Sequence, residues 1–199
     1  MMLTELTTVP PSALPVATFK THLRLGSGFA DDGVQDEGLE NYLRAAMAAI
    51  EARTGKILIE REFCWTVTAW RDDVRQPLPL APVTRILRLV IVSRTGEETQ
   101  VSPARYVLER DDQRPAVVST GSGLPSIPTG GTLRVEMLAG YAAAWTGIPD
   151  DLQQAVMMLA AHFYEYRHET AINGAMMPFG VSALIERYRT VRLFMGGGR

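Results

Sequence analysis

Three side chains that could bind a metal lie close together near the end of a long, apolar-striped segment. His162, Glu165 and His168 follow one another at spacings of three residues, and such spacings can place ligands on one face of a helix. The order is not His-Glu-x-x-His, and His168 lies more than one helical turn from His162. We therefore predict a solvent-facing or partner-facing stripe and no metal site. A small metal-dependent enzyme using these three residues is kept as the alternative function.

No other group of side chains has the spacing of a catalytic or cofactor-binding site. Cys64 is the single cysteine, and no histidine or helix N-terminus lies near it in sequence to activate a thiolate. Three Asp-Asp pairs stand in predicted turns, where Asp is common, and they lack the calcium-loop pattern. The Gly-Ser-Gly fragments at 26–28 and 121–123 lack the ending of a phosphate loop. We expect no catalytic residue, no cofactor and no enzymatic activity.

The composition is that of a folded protein with nearly balanced charge. Hydrophobic residues make up 46% of the 199 residues and charged residues 21%, as in ordinary globular domains. The formal net charge of −2 argues against tight coating of duplex DNA, which requires a basic surface. A DNA-binding packaging component is therefore a weaker hypothesis. We also expect no intrachain disulfide, no signal peptide and no membrane-spanning segment.

Apolar residues recur with a helical period near both ends of the chain and with a period of two in the middle. The helical period predicts helices from about Pro15 to Leu25, Leu39 to Arg53 and Asp150 to His168, and a last helix from Gly180. Between 57 and 141 the alternation predicts several antiparallel strands. Helices and strands therefore occupy separate parts of the chain.

These elements predict an α+β fold, a helical bundle of about four helices with an inserted antiparallel β region. The bundle is expected to contain residues 15–56 and 148–192, and the inserted β region residues 57–147. Residues 1–14, rich in Thr and Pro, are expected to form an extended N-terminal arm. Residues 193–199 are expected to form a flexible C-terminal tail.

Two segments have the composition of partner-binding surfaces. The stretch 185–195 combines aromatic residues, Met and Arg, which are enriched in interface cores, although it could equally finish the core face of the last helix. Its candidate contact residues are Ile185, Tyr188, Arg189, Arg192, Leu193, Phe194 and Met195. The stretch 119–131 is dense in Gly, Ser and Pro, which predicts a loop that is mobile or ordered only by a partner. Its candidate residues are Ser119, Gly121, Gly123, Leu124, Pro125 and Ile127.

Six short stretches form an ordered series along most of the chain, from about Pro15 to Arg189. They are Lys20–Arg24, Ala45–Lys56, Trp65–Trp70, Leu78–Val83, Ala139–Ala155 and Tyr164–Arg167. Their order and spacing resemble the head–tail connector (adaptor) proteins of long-tailed bacteriophages and gene transfer agents. The resemblance implies a helical bundle carrying a β insertion, with no catalytic residues to transfer.

The resemblance also implies a structural function. Proteins of this family assemble as a ring, typically of twelve copies, beneath the portal, where they extend the DNA channel. The ring provides the docking platform for the next neck or tail component. For this chain, the resemblance implies that residues 185–199 contact the portal. The loop 119–131 would then face the neck or tail, or a neighbouring subunit.

The implied partners follow from that position. They are the portal protein, the next neck or tail-completion protein (stopper), and further copies of the chain in a homo-oligomeric ring, expected to be a dodecamer. Packaged DNA is expected to pass through without sequence-specific binding, and no membrane is involved. The expected location is the head–tail interface of a virion or phage-like particle, with the host cytoplasm before assembly.

Overall fold

The computed structural model describes residues 2–25, 35–167 and 177–189, which form eight strands and four helices. The strands are β1 (Met2–Glu5), β2 (Arg61–Val67), β3 (Arg75–Pro77), β4 (Val83–Val92), β5 (Glu98–Gln100), β6 (Tyr106–Glu109), β7 (Ala116–Ser119) and β8 (Thr132–Ala139). The helices are α1 (Val16–His22), α2 (Asp36–Thr54), α3 (Asp150–Glu165) and α4 (Phe179–Ile185). None of the helices in these ranges is long and apolar enough to cross a membrane.

The strands form two antiparallel sheets. The larger sheet has the order β1-β2-β8-β4-β5, and the smaller has the order β3-β7-β6. The β2–β8 ladder aligns Phe63 with Met137 and Trp65 with Val135. Because side chains alternate between the two faces of a strand, these four lie on one face of the larger sheet.

Both sheets contribute to one apolar cluster. Every second residue of β2 and β8 is buried, and Leu133, Val135 and Met137 have no exposed surface. Tyr106 of β6 and Val117 of β7 belong to the same cluster. Full burial of a large apolar side chain contributes about 1.5–3 kcal/mol. The alternating positions of the larger sheet therefore hold the smaller sheet in place.

The helices form a second apolar cluster. Leu39, Leu43 and Ile50 of α2 are buried in the same cluster as Leu152 and Leu159 of α3. These residues recur at spacings of four and seven, which places them on one stripe of each helix. The apolar stripes predicted for the second and third helices are confirmed.

The end of α2 connects the helical cluster to the sheets. Gly55 has a φ of +70° and closes the helix with a hydrogen bond from its N–H to the carbonyl of Glu51, as a C-terminal glycine commonly does. The next residue, Lys56, is fully buried, and its Nζ donates to the carbonyl of Asp112 at 2.6 Å. Burial lowers the pKa of the Lys56 amine. This bond ties the end of α2 to the turn between β6 and β7.

A nearly buried ion pair makes a second connection. Nη2 of Arg61 on β2 donates to both carboxylate oxygens of Glu51 on α2, at 2.7 and 2.6 Å. Glu51 also accepts the N–H of Leu58 at 2.9 Å, and Arg61 contacts Glu5 of β1 at 3.3 Å. Burial raises the pKa of the Glu51 carboxyl, and the Arg61 guanidinium only partly offsets this rise. The pair joins the helix to the two first strands of the larger sheet.

The predicted fold class is wrong. The described chain has eight strands in two antiparallel sheets and four helices, and it is not a helical bundle carrying an inserted β region. Helices α1 and α4 have seven residues each, about two turns, so only α2 and α3 form a long helical pair. Strand β1 lies within the segment expected to be an arm, and it pairs with β2. The prediction gave too much weight to the helices because strands of three or four residues carry little periodic signal.

Candidate functional site

The candidate contact residues near the C-terminus differ in their accessibility. Ile185, the last residue of α4, has no exposed surface, and Tyr188 is 7% exposed. The half-exposed side chain of Arg189 donates to the carboxylate of Glu186 at 3.0 and 2.9 Å. Four further candidates lie outside the described residues: Arg192, Leu193, Phe194 and Met195. In the described part, Ile185 and Tyr188 therefore contact their own chain, and Arg189 reaches solvent.

Helix α4 packs closely against α3. Val181 and Ile185 of α4 are fully buried in the helical cluster. A Cβ atom at Gly180 would lie 2.9 Å from the terminal methyl carbon of Met158 on α3. A larger residue at position 180 would therefore require Met158 to move. The absence of a side chain allows the close approach of the two helices.

A polar group attaches the end of this segment to the start of α3. Oδ1 of Asp151, in the first turn of α3, accepts the Tyr188 hydroxyl at 2.6 Å, and its Oδ2 pairs with Nη2 of Arg187 at 2.7 Å. The same Nη2 donates to the Tyr188 hydroxyl at 2.5 Å, and the guanidinium lies 4.8 Å from the centre of that ring. The aromatic rings of Tyr188 and Tyr141 pack edge to face, with their centres 6.2 Å apart. We call Asp151, Arg187 and Tyr188 the anchor.

The electrostatics of the anchor favour its hydrogen bonds. Burial, together with the bond to Asp151, raises the pKa of the Tyr188 hydroxyl. Burial also raises the pKa of the Tyr141 hydroxyl. The hydrogen bond to Tyr188 raises the pKa of the Arg187 guanidinium. At neutral pH both phenols are therefore protonated, and the Tyr188 hydroxyl can donate to the Asp151 carboxylate.

The second candidate surface, the loop 119–131, is held by its own chain. Leu124 is 7% exposed, and its N–H donates to the carbonyl of Asp73 at 2.6 Å. Nε1 of Trp70 donates to the carbonyl of Pro125 at 2.7 Å, and Ile127 packs against the sheet cluster. The sequence predicted mobility or ordering by a partner, and it did not predict these contacts. They fix the second half of the loop to the sheets.

The start of the same loop is more accessible. Ser119 is the last residue of β7, and its hydroxyl accepts the N–H of Gly121 at 3.1 Å. Gly121 is exposed and Gly123 is half-buried. Residues 120–122, 126 and 128–130 of the loop are exposed, whereas Leu124 and Pro125 are turned into the protein.

The possible metal ligands do not form a metal site in the described structure. His162 has a buried Nε2 without a hydrogen-bond partner among the described residues, and its ring lies 4.6 Å from that of Tyr166. Glu165 is exposed, and His168 lies outside the described residues. Within residues 2–25, 35–167 and 177–189, no group of three His, Cys, Asp or Glu side chains could hold a metal ion. This part of the chain gives the metal-dependent alternative no support.

Cys64 and two of the three acidic pairs lie in surroundings that explain them structurally, and the third pair, at 31–32, lies outside the described residues. Cys64 is half-buried in β2, aligned with Thr4 of β1 on one side and Glu136 of β8 on the other. Asp72 and Asp111 each accept two backbone N–H groups from residues two and three positions further on. Those bonds lower the pKa values of both carboxyls. Both aspartates therefore stabilise turns, as their sequence context suggested.

The anchor was missed by sequence reasoning. Neither Asp151 nor Arg187 is among the candidate contact residues that the sequence predicts. Asp151 and Tyr188 are 37 positions apart, and no local pattern relates two residues at that separation. The one usable signal was the combination of aromatic residues and Arg near 185–195, which identified the segment without its attachment.

Comparisons with known proteins give a consistent result. No protein-family model matches the chain, and none of the curated proteins does. A solved chain from the neck of an empty GTA particle, computed with C6 symmetry, is 52% identical with a TM-score of 0.90. A chain from the virion of a native gene transfer agent (GTA) particle is 53% identical with a TM-score of 0.87. A chain from the neck of a native GTA particle, computed with C12 symmetry, is 49% identical with a TM-score of 0.85.

Each of these alignments covers 98% of this chain and 99% of the other. Similarity at this level over almost the whole length defines the class: the protein is a structural neck component of a phage-like particle. More particularly, the chain belongs to the head–tail connector (adaptor) family of long-tailed phages and gene transfer agents. The resemblance found in the order of the short motifs is confirmed.

Proposed function

We propose that the protein is the head–tail adaptor of a gene transfer agent or related particle. It forms a ring beneath the portal, extends the DNA channel and provides the docking platform for the next neck or tail component. The observation that carries this proposal is the 52% identity to a GTA neck chain over 98% of this chain.

The ring follows from symmetry. Related chains come from necks computed with C6 and C12 symmetry. A closed ring requires one patch of each copy to contact a different patch of the next copy. A dodecamer is the copy number we propose, with the chain monomeric in the host cytoplasm until the portal gathers the copies. Weak single interfaces become effective once several copies are held on one template.

Contact with the portal is assigned to the C-terminal segment. The described part ends at Arg189, whose half-exposed side chain is available to a partner. Ile185 and Tyr188 support that contact from within the protein, since both are buried in it. The accessible backbone around Gly121 is assigned to the next neck component, the stopper, or to a neighbouring copy.

The charge of the chain suits a channel through which DNA passes. With a formal net charge of −2, the ring has no general excess of cations to retain the phosphate backbone. We therefore assign no sequence-specific DNA contact to this protein. Its role in the particle is mechanical, with the portal above and the next neck component below.

The test is co-sedimentation with the portal protein of the same particle. The full chain is compared with a chain truncated after Arg189, which retains α4 and the anchor. Binding by the full chain that the truncation abolishes supports the proposal and assigns the contact to residues 190–199. A folded full chain that fails to bind the assembled portal at micromolar concentration contradicts it. Particles lacking the protein should contain filled or leaking heads without tails.

A further inference from the structure

The anchor lies directly before Arg189, the described residue that is proposed to contact the portal. Arg187 and Tyr188 directly precede Arg189, the last residue of the described C-terminal range, 177–189. Both are attached to one carboxylate, that of Asp151, by contacts of 2.6 and 2.7 Å. The position of Arg189, the last described candidate contact, is therefore set relative to α3 by the anchor together with the burial of Tyr188 in the helical cluster.

Packing of α4 does not require this carboxylate. Val181 and Ile185 attach α4 to the helical cluster through apolar burial alone. The polar contacts begin only after α4 ends, in the 3₁₀ turn Glu186–Tyr188. Nor does α3 need Tyr188 at its start, since an Asp in the first turn is favourable without any partner. The anchor adds directional hydrogen bonds where packing has already fixed the helix.

We propose that Asp151 is a positioning residue for docking. Through Tyr188 and Arg187 it fixes the position of Arg189 relative to the α3–α4 pair, and so presents this candidate contact residue to the portal in one orientation. This inference rests on the proposed function, in which the C-terminal segment contacts the portal. Fixing a segment in advance reduces the conformational entropy lost on binding, and this raises affinity without adding any contact.

The test uses two variants and one matched control in the full chain. Asp151→Asn weakens the acceptor for both partners, and Tyr188→Phe removes one hydroxyl while keeping the ring on Tyr141. Asp150→Asn is the control, because it removes the same charge from the same helical turn at an exposed residue. Affinity for the assembled portal protein is measured for each, and urea unfolding shows whether each variant is folded.

We expect Asp151→Asn and Tyr188→Phe each to weaken portal binding by about tenfold, the order expected for ordering one or two side chains and the turn that carries them. Asp150→Asn should bind as the unchanged chain does. Equal affinity for all four proteins would overturn the inference. An equal loss of affinity in Asp150→Asn would also overturn it, since the loss would then reflect the negative charge at the start of α3 and not the anchor. Should Asp151→Asn fail to fold, Tyr188→Phe still decides the question.

A second measurement separates positioning from a general loss of structure. A fluorophore is attached to Arg189→Cys, directly after the anchor, in a Cys64→Ser background, and its anisotropy is measured without the portal. Loss of the anchor should lower the anisotropy in Asp151→Asn and Tyr188→Phe, and leave it unchanged in Asp150→Asn. Unchanged anisotropy in both anchor variants would overturn the inference. If the unchanged chain itself fails to bind the portal, the proposed function has failed, whatever the anisotropy shows.

Discussion

Replacing Arg61 by Met removes the main counterion of a nearly buried carboxylate. The side chains of Arg61 and Glu51 are 10% and 11% exposed. Removing one partner of such a pair leaves the other charge uncompensated and costs about 3–5 kcal/mol of unfolding free energy. Glu51 would retain the N–H of Leu58, so we expect a loss near the lower end, about 3 kcal/mol at neutral pH.

The loss should depend on pH in a definite direction. The folded-state pKa of Glu51 already lies above its usual value because of burial, and loss of Arg61 would raise it further. A carboxyl with a raised folded pKa favours folding below its unfolded pKa, and this contribution is lost as pH rises through the folded value. The deficit of Arg61→Met is therefore largest at neutral pH and shrinks as pH falls, because Glu51 of the variant takes up a proton in the folded state at a higher pH than the Glu51 paired with Arg61.

The assay is urea unfolding followed by tryptophan fluorescence at about pH 7 and about pH 5, both above the usual pKa of Glu. The matched control is Glu51→Gln, which keeps an acceptor for Leu58 and leaves Arg61 paired with Glu5. We expect Glu51→Gln to lose less unfolding free energy than Arg61→Met. The double variant should recover most of the unfolding free energy that Arg61→Met loses. A deficit in Arg61→Met that is independent of pH would refute the reasoning. So would a double variant as unstable as Arg61→Met alone.

Three further outcomes are expected. Gly140→Ala should lower the free energy of unfolding, measured with urea, by at least about 3 kcal/mol. The reason is that φ is +144° and a Cβ atom would lie 2.5 Å from the backbone of Glu60. A variant as stable as the unchanged chain contradicts this. Trp70→Phe removes the hydrogen bond to the Pro125 carbonyl, so it should destabilise the folded protein by about 1 kcal/mol. It should also speed proteolysis within 119–131. An unchanged rate of cleavage would show that the hydrogen bond does not hold the loop. Elemental analysis of the purified protein should find no stoichiometric metal, and stoichiometric metal lost in His162→Ala would revive the metal-dependent alternative.

The long helices and the alternating strands were predictable because their signals are local. In α2 and α3 the apolar stripe extends over several turns, and in β2 the alternation of Phe63, Trp65 and Val67 indicates one buried face. Short elements could not be predicted in the same way. Strand β1 has four exposed residues, so burial imposes no apolar alternation on it, and its pairing with β2 depends on a contact about sixty positions away.

The candidate site was predictable only as a composition. The Arg and aromatic content of 185–195 indicated a binding segment. Which of its residues are buried and which are exposed depends on tertiary contacts. Tyr188 is buried because Tyr141 and Asp151 surround it, and neither residue is near it in sequence. The loop 119–131 has the composition of an unattached segment, yet the indole of Trp70 and the backbone of Asp73 hold it.

The single cysteine gives every assembled copy one chemically unique thiol. Cys64 lies in the second strand of a five-stranded sheet, between paired neighbours on both sides, so a nitroxide attached there would move little relative to the subunit. In a closed ring, such labels mark the corners of a regular polygon. The ratio of the nearest to the next-nearest label distance depends on the number of corners alone. Pulsed electron resonance on the labelled assembly would therefore count its copies without an image of the particle.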